Sequence, residues 1–76
     1  MFLEVSILNP ERILFQGKAG SIILPGEQGV FEILPFHKPI LSRLISGSIF
    51  IDEKVFRIRR GIVKVYQNQV RIIVEE

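Results

Sequence analysis

Three of the four prolines and two of the six glycines fall within residues 24–41, Leu-Pro-Gly-Glu-Gln-Gly-Val-Phe-Glu-Ile-Leu-Pro-Phe-His-Lys-Pro-Ile-Leu, and they exclude any long regular element there. Pro25-Gly26 is a turn signal, because proline presets φ at one turn position and glycine accepts φ > 0 at the next. Pro35 and Pro39 cannot donate to a sheet ladder, so the segment between them belongs at an edge or in a loop. The stretch therefore predicts two stiff loops, 25–29 and 35–39, joined by a short strand over 30–34. Stiff loops on a small scaffold are frequent recognition surfaces; they are also ordinary corners of a sandwich.

The rest of the chain reads as strands of similar length. Residues 2–8 alternate, with Leu3, Val5 and Ile7 on one face and Glu4 and Ser6 on the other, the pattern of a half-buried strand. Asn9-Pro10-Glu11 is a turn. Residues 12–18 continue as a strand with Ile13 and Phe15 on one face and Leu14 and Gln16 on the other, and Gly17 and Gly20 predict a bulge or bend. Residues 21–24 form a third strand, ended by Pro25-Gly26. Residues 39–44 read as a strand or one irregular turn. A strand over 48–51 and another over 54–59 pair through a tight turn at Asp52-Glu53, with Phe56 and Ile58 inward and Arg57 and Arg59 outward. Gly61 breaks the pattern, Val63 and Val65 point inward over 62–66, Gln67-Asn68-Gln69 turns, and Val70, Ile72 and Val74 point inward over 70–74. Eight to nine short strands and no helix predict an all-β domain over residues 1–76, an antiparallel β-sandwich or flattened barrel.

Composition narrows the function. The chain is 47% apolar and 24% charged, which excludes disorder. No apolar run approaches the roughly 18 residues of a membrane-spanning helix. Without cysteine there is neither a disulfide framework nor a thiolate metal site, which favours a reducing compartment. His37 is the sole histidine, and no serine sits in a nucleophile-elbow context beside it. The carboxylates show no convergent spacing, and Gly26-Glu-Gln-Gly29 is not continued as a phosphate loop. These features predict no catalytic residue, metal or cofactor. Lys54, Arg57, Arg59, Arg60, Lys64 and Arg71 form the basic group. The Arg57/Arg59/Lys64/Arg71 face supports an alternative reading, a small β-barrel that binds nucleic acid, although only Tyr66 adds an aromatic to it. A solvated sheet face explains the same residues.

The motifs taken together resemble one family. Pro10-Glu11-Arg12-Ile13-Leu14-Phe15 with Gly17 is followed by Leu24-Pro25-Gly26, Gly29, Ile33-Leu34-Pro35, His37 and Pro39-Ile40-Leu41. Gly47-Ser48-Ile49 and Gly61-Ile62-Val63-Lys64-Val65 come next, then Asn68 and residues 70–74. In order, spacing and near-complete coverage this is similar to the N-terminal β-sandwich domain of the epsilon subunit of F-type ATP synthase, called delta in mitochondria. The resemblance implies a non-catalytic subunit of the central stalk that binds the gamma subunit and the c-ring and couples transmembrane ion flow to ATP synthesis. It also implies a peripheral location at the cytoplasmic face of a bacterial inner membrane, or at the equivalent organellar membrane, with no nucleic acid and no small-molecule substrate. The partner-binding positions it implies are Gly26, Glu27, Gln28, Gly29 and Val30, then Pro35, Phe36, His37 and Lys38, with Arg59 and Arg60 as a secondary contact.

This chain departs from the family at several of these positions. Glu32 stands where most members carry glycine, Phe36 where many carry a small residue, and Val30 where an acidic residue is common. Arg59-Arg60 replaces a common Ser-Gly pair. The family usually continues into a two-helix inhibitory domain, which these residues do not include. The expectation is coupling without helical inhibition, the alternative being a piece of a longer subunit.

Overall fold

A computed structural model describes Met1 to Glu76, and it is built of strands alone: β1 (Leu3–Leu8), β2 (Ile13–Ala19), β3 (Ile22–Gly26), β4 (Gly29–Ile33), β5 (Ile40–Leu44), β6 (Gly47–Ile51), β7 (Lys54–Ile58), β8 (Arg60–Tyr66) and β9 (Gln69–Glu75). They form one curled sheet in the order β2-β1-β9-β8-β5-β3-β6-β7, with β4 paired to β3. The curl produces two facing layers, β2-β1-β9-β8-β5 and β4-β3-β6-β7. Every pairing is antiparallel except β1 with β9, which run parallel from Glu4↔Gln69 to Leu8↔Ile73. That pair joins the first strand to the last, so no short hairpin dictates its direction.

The alternation fills the space between the layers. One cluster of 16 buried residues, all apolar, includes Leu3, Val5 and Ile7 of β1, Val63 and Val65 of β8, and Val70, Ile72 and Val74 of β9. No charged or polar side chain is buried. Leu24 and Ile33 reach the same core from the proline-rich stretch.

The layers join at a corner. β5 and β6 are nearly continuous and change sheet at Ile45-Ser46, where the Ile45 N–H donates to the Pro25 carbonyl at 2.8 Å. A Cβ on Gly47 would lie 2.9 Å from the Pro25 Cβ, so the corner closes only around a bare backbone. Two of the free edges, β2 and β7, meet through side chains. The Phe15 and Phe56 rings pack edge to face at 5.8 Å, and the Lys54 ammonium sits 5.7 Å from the Phe15 centroid. Asp52, in the β6–β7 turn, accepts from the Gly20 N–H at 3.1 Å and the Ser21 N–H at 3.1 Å, tying that turn to the chain entering β3.

Several local expectations are corrected. Pro25-Gly26 does not end the third strand: Pro25 pairs with Val30 and Gly26 with Gly29, and the turn is Glu27-Gln28. Proline is tolerated in this ladder because its carbonyl is the group that Ile45 uses. The bulge lies at Leu14 instead of at Gly17, since Ile7 pairs with Phe15 and Leu8 with Ile13. The extra residue separates Ile13 from Phe15. Phe15 packs on the core, whereas Ile13 is turned to solvent. Gly61 does not break a strand; it lies within β8, between Leu44 and Val74. Residues 40–44 are a strand, paired along its length with β8.

Candidate functional site

The partner positions implied by the sequence divide between the two ends of β4. At one end the β3–β4 hairpin presents Glu27 and Gln28 at its tip, flanked by Gly26, by Gly29 at φ 123° and by Val30, which is 74% exposed. At the other end the chain leaves the sheet through Pro35, Phe36, His37 and Lys38. β4 is five residues long, so the hairpin tip and the Pro35–Lys38 segment lie roughly 16 Å apart at the rise of an extended strand.

The second end is held rigidly. The His37 N–H donates to the Leu34 carbonyl at 3.1 Å, closing a four-residue turn with Pro35 and Phe36 in the middle. Phe36 has φ 68°, as the third position of a type II turn requires, a place that glycine normally fills. The aromatic residue sits there strained and 72% exposed. Asn68, itself at φ 62° in the turn between β8 and β9, clamps the strained residue. Its side-chain Oδ1 accepts the Phe36 N–H at 2.6 Å, and its backbone carbonyl accepts the Glu4 N–H at 2.8 Å. Three distant parts of the chain are thus fixed at one point. The imidazole Nδ1 of His37 lies 2.7 Å from the Lys38 carbonyl oxygen.

Asn68→Gly keeps the left-handed turn but removes the clamp. The expected result is a folded domain whose Phe36 amide exchanges about fivefold faster, since one net hydrogen bond is worth about 1 kcal/mol. Unchanged exchange at Phe36, read by NMR, would remove Asn68 from this role.

The hairpin end has a different chemistry. A cleft of about 660 Å³ opens beside it, with Glu27, Arg43, Ile45, Arg59, Arg60 and Glu75 in its lining. The secondary positions Arg59 and Arg60 are thereby brought to Glu27, and not to Phe36. Arg60 pairs with Glu75 at 3.0 Å, and the Arg59 N–H donates to the Glu75 carbonyl at 2.7 Å. Arg43 and Arg59 make no ion pair. Gly61 forms part of the cleft wall.

The basic residues grouped by the sequence reading do not share one face. Lys64 and Arg71 stand directly opposite each other on β8 and β9. Arg57 lies on β7, in the other layer, where its guanidinium donates to the Ser48 hydroxyl at 3.2 Å. The contiguous cationic face needed by the nucleic-acid reading is therefore divided. Sequence reasoning missed Asn68 as a clamp, because its partner is 32 residues away. It also missed the exposed isoleucines of β8 and β9, although Ile62-Val63 and Ile72-Ile73-Val74 interrupt the alternation visibly.

Comparison with known proteins identifies the family of the chain. Residues 2–76 match the model of the family described as ATP synthase, Delta/Epsilon chain, beta-sandwich domain. An ATP synthase epsilon chain of Leptospira interrogans is 36% identical over 77 residues, covering 96% of this chain and 61% of the relative. The chloroplastic ATP synthase epsilon chain of Chlamydomonas reinhardtii is 40% identical over 86 residues, covering 100% of this chain and 61% of the relative. The chain thus spans about three-fifths of the length of these relatives. The same fold occurs in the central stalk and c-ring structure of the Tetrahymena thermophila mitochondrial ATP synthase, with a TM-score of 0.82 at 18% identity over 97% of this chain and 63% of that one. It recurs in the Euglena gracilis mitochondrial ATP synthase, with a TM-score of 0.88 at 17% identity over 99% of this chain and 51% of that one. With a family model matched from the second residue to the last, and with relatives sharing more than a third of its residues, this chain belongs to the delta/epsilon family of ATP synthase subunits, as its β-sandwich domain.

Proposed function

We propose that this domain is a non-catalytic connector in the central stalk of a rotary ATP synthase, binding the gamma subunit and the c-ring and helping couple ion flow to ATP synthesis. One observation carries the reading beyond family membership: the candidate contacts form two chemically distinct surfaces at opposite ends of one short strand. A connector needs two separated surfaces and a stiff body between them. The strained, clamped turn at Phe36 suits a contact that transmits torque without bending, and its exposed ring suits an apolar socket. The hairpin tip at Glu27-Gln28, bordered by arginines, suits polar loops. In this reading residues 35–38 face gamma and residues 26–30 face the ring, with Arg59 and Arg60 beside the ring contact. The domain is peripheral to the membrane through the complex, on the cytoplasmic side in a bacterium.

A pull-down of the chain with its cognate gamma subunit tests this directly. The wild-type chain is expected to retain gamma, and the His37→Ala, Phe36→Ala variant to lose it by at least tenfold, the effect of removing an interface anchor. Binding unaffected by the variant would move the gamma contact away from this turn. No binding by folded wild-type protein would overturn the stalk reading.

A further inference from the structure

The outer face of the layer β2-β1-β9-β8-β5 carries an apolar row that the proposed contacts at the two ends do not use. The strand registers define it residue by residue. Ile13 pairs with Leu8, Leu8 with Ile73, Ile73 with Ile62, and Ile62 with Arg43. Ile13, Ile73 and Ile62 are 58%, 57% and 48% exposed. A sheet with one solvated face normally alternates, while a sheet covered on both faces reads as continuous apolar runs. Ile62-Val63 and Ile72-Ile73-Val74 are of the second kind, placing large apolar side chains on both faces of β8 and β9.

The next row along the strands is cationic. It runs Leu41, Lys64, Arg71, Ser6 and Gln16, again by direct pairing. Lys64 and Arg71 are cross-strand neighbours of like charge, and neither makes an ion pair. Like charges placed directly opposite destabilise a sheet, so the isolated domain bears a cost that an anionic partner would remove. Arg43 caps the apolar row, also without an ion pair. The corresponding row of the other layer, Val55, Phe50, Ile23 and Glu32, adjoins a single cation, Arg57, whose guanidinium already donates to the Ser48 hydroxyl, and so lacks the unpaired cationic pair that would identify a cover.

The geometry points to an acidic amphipathic helix of another subunit as the occupant of the Ile13–Leu8–Ile73–Ile62 row, its carboxylates meeting Lys64, Arg71 and Arg43. This inference rests on the stalk reading, since it supposes a neighbouring subunit. A strand is a poor candidate because the row lies on a face whose interior backbone groups are already paired within the sheet. A helix on a sheet face is one of the stable ways to bury such a surface. The five strands at about 4.8 Å spacing span roughly 19 Å, the length of a helix of about 13 residues. The two rows are two residues apart, about 6.7 Å, and both fall beneath one helix about 10 Å wide.

The test is site-directed photocrosslinking in the assembled complex, with benzoylphenylalanine at Ile73 and, in parallel, at Phe36. The expected product at Ile73 is a peptide of another subunit in which Asp or Glu borders apolar residues at helical spacing. A product at Phe36 with none at Ile73 overturns the inference and leaves the stalk reading standing. Products at neither position overturn both. Crosslinking of Ile73 to lipid, to its own polypeptide, to a second copy or to a segment without acidic residues also overturns it. Charge reversal by Lys64→Glu with Arg71→Glu, in protein whose melting is unimpaired, is expected to reduce retention of this subunit in the complex at least tenfold. Lys64→Gln with Arg71→Gln is expected to reduce it about threefold. Wild-type retention of the charge-reversed subunit would refute the charge match.

Discussion

Gly61→Ala is expected to destabilise the domain by about 2–3 kcal/mol, as overpacking against neighbours that cannot yield does. A Cβ there would lie 2.6 Å from the Ile73 carbonyl oxygen, 3.1 Å from the Val74 Cγ1 and 3.3 Å from the Val74 Cα. Two of these neighbours are backbone of the adjacent strand, so relief requires β8 and β9 to separate. The same strands carry Val63, Val65, Val70, Ile72 and Val74 of the core. A domain of this length has a total stability of about 4–11 kcal/mol, so the loss is a large share of it. Chemical denaturation measures the effect through the midpoint at constant slope. Gly29→Ala is the useful contrast. No atom lies within 4 Å of its Cβ position, so its cost arises only from φ 123°. An alanine at position 61 tolerated without loss would mean that the pairing of β8 with β9 is looser than the structure describes.

Phe36→Gly is expected to move stability and partner binding in opposite directions. Phe36 holds φ 68° in a turn position made for glycine, and relief of a left-handed backbone recovers about 1–2 kcal/mol. Glycine's larger unfolded-state entropy takes back part of this, leaving a net gain of about 0.5–1 kcal/mol. The 72% exposed ring makes little contribution to the core that could be lost. Affinity for gamma is expected to fall at least tenfold, about 1.4 kcal/mol or more, because the anchor is gone. Thermal melting and a binding titration on one preparation give both signs. A variant that is more stable and binds equally well would leave the strain without a functional reason.

Much of this molecule was legible in the order of its residues. The alternations Leu3, Val5, Ile7 in β1, Val63, Val65 in β8 and Val70, Ile72, Val74 in β9 place their side chains in the core as expected, because period two needs only local geometry. The turns at Asn9-Pro10, Asp52-Glu53 and Gln67-Asn68 follow from residues that accept the required backbone angles. Errors arose where tertiary contacts compete with local preference. Pro25-Gly26 has a turn composition, but Ile45 and Val30 hold it in a strand. The bulge at Leu14 is set by the register against β1, and no glycine marks it.

The sequence by itself determined the all-β class, a count of eight to nine strands, most of the core and the family, since each depends on short-range pattern or on motif order. Only the tertiary structure decided that the proline-rich stretch serves two opposite ends, that Asn68 clamps Phe36, that Arg59 and Arg60 join Glu27, and that Ile13, Leu8, Ile73 and Ile62 form one row. The physical reason is pairing. Strand neighbours such as Leu8 and Ile73 are far apart in the chain, and their register is set by the closure of the whole sheet around its core, which no local run of residues encodes.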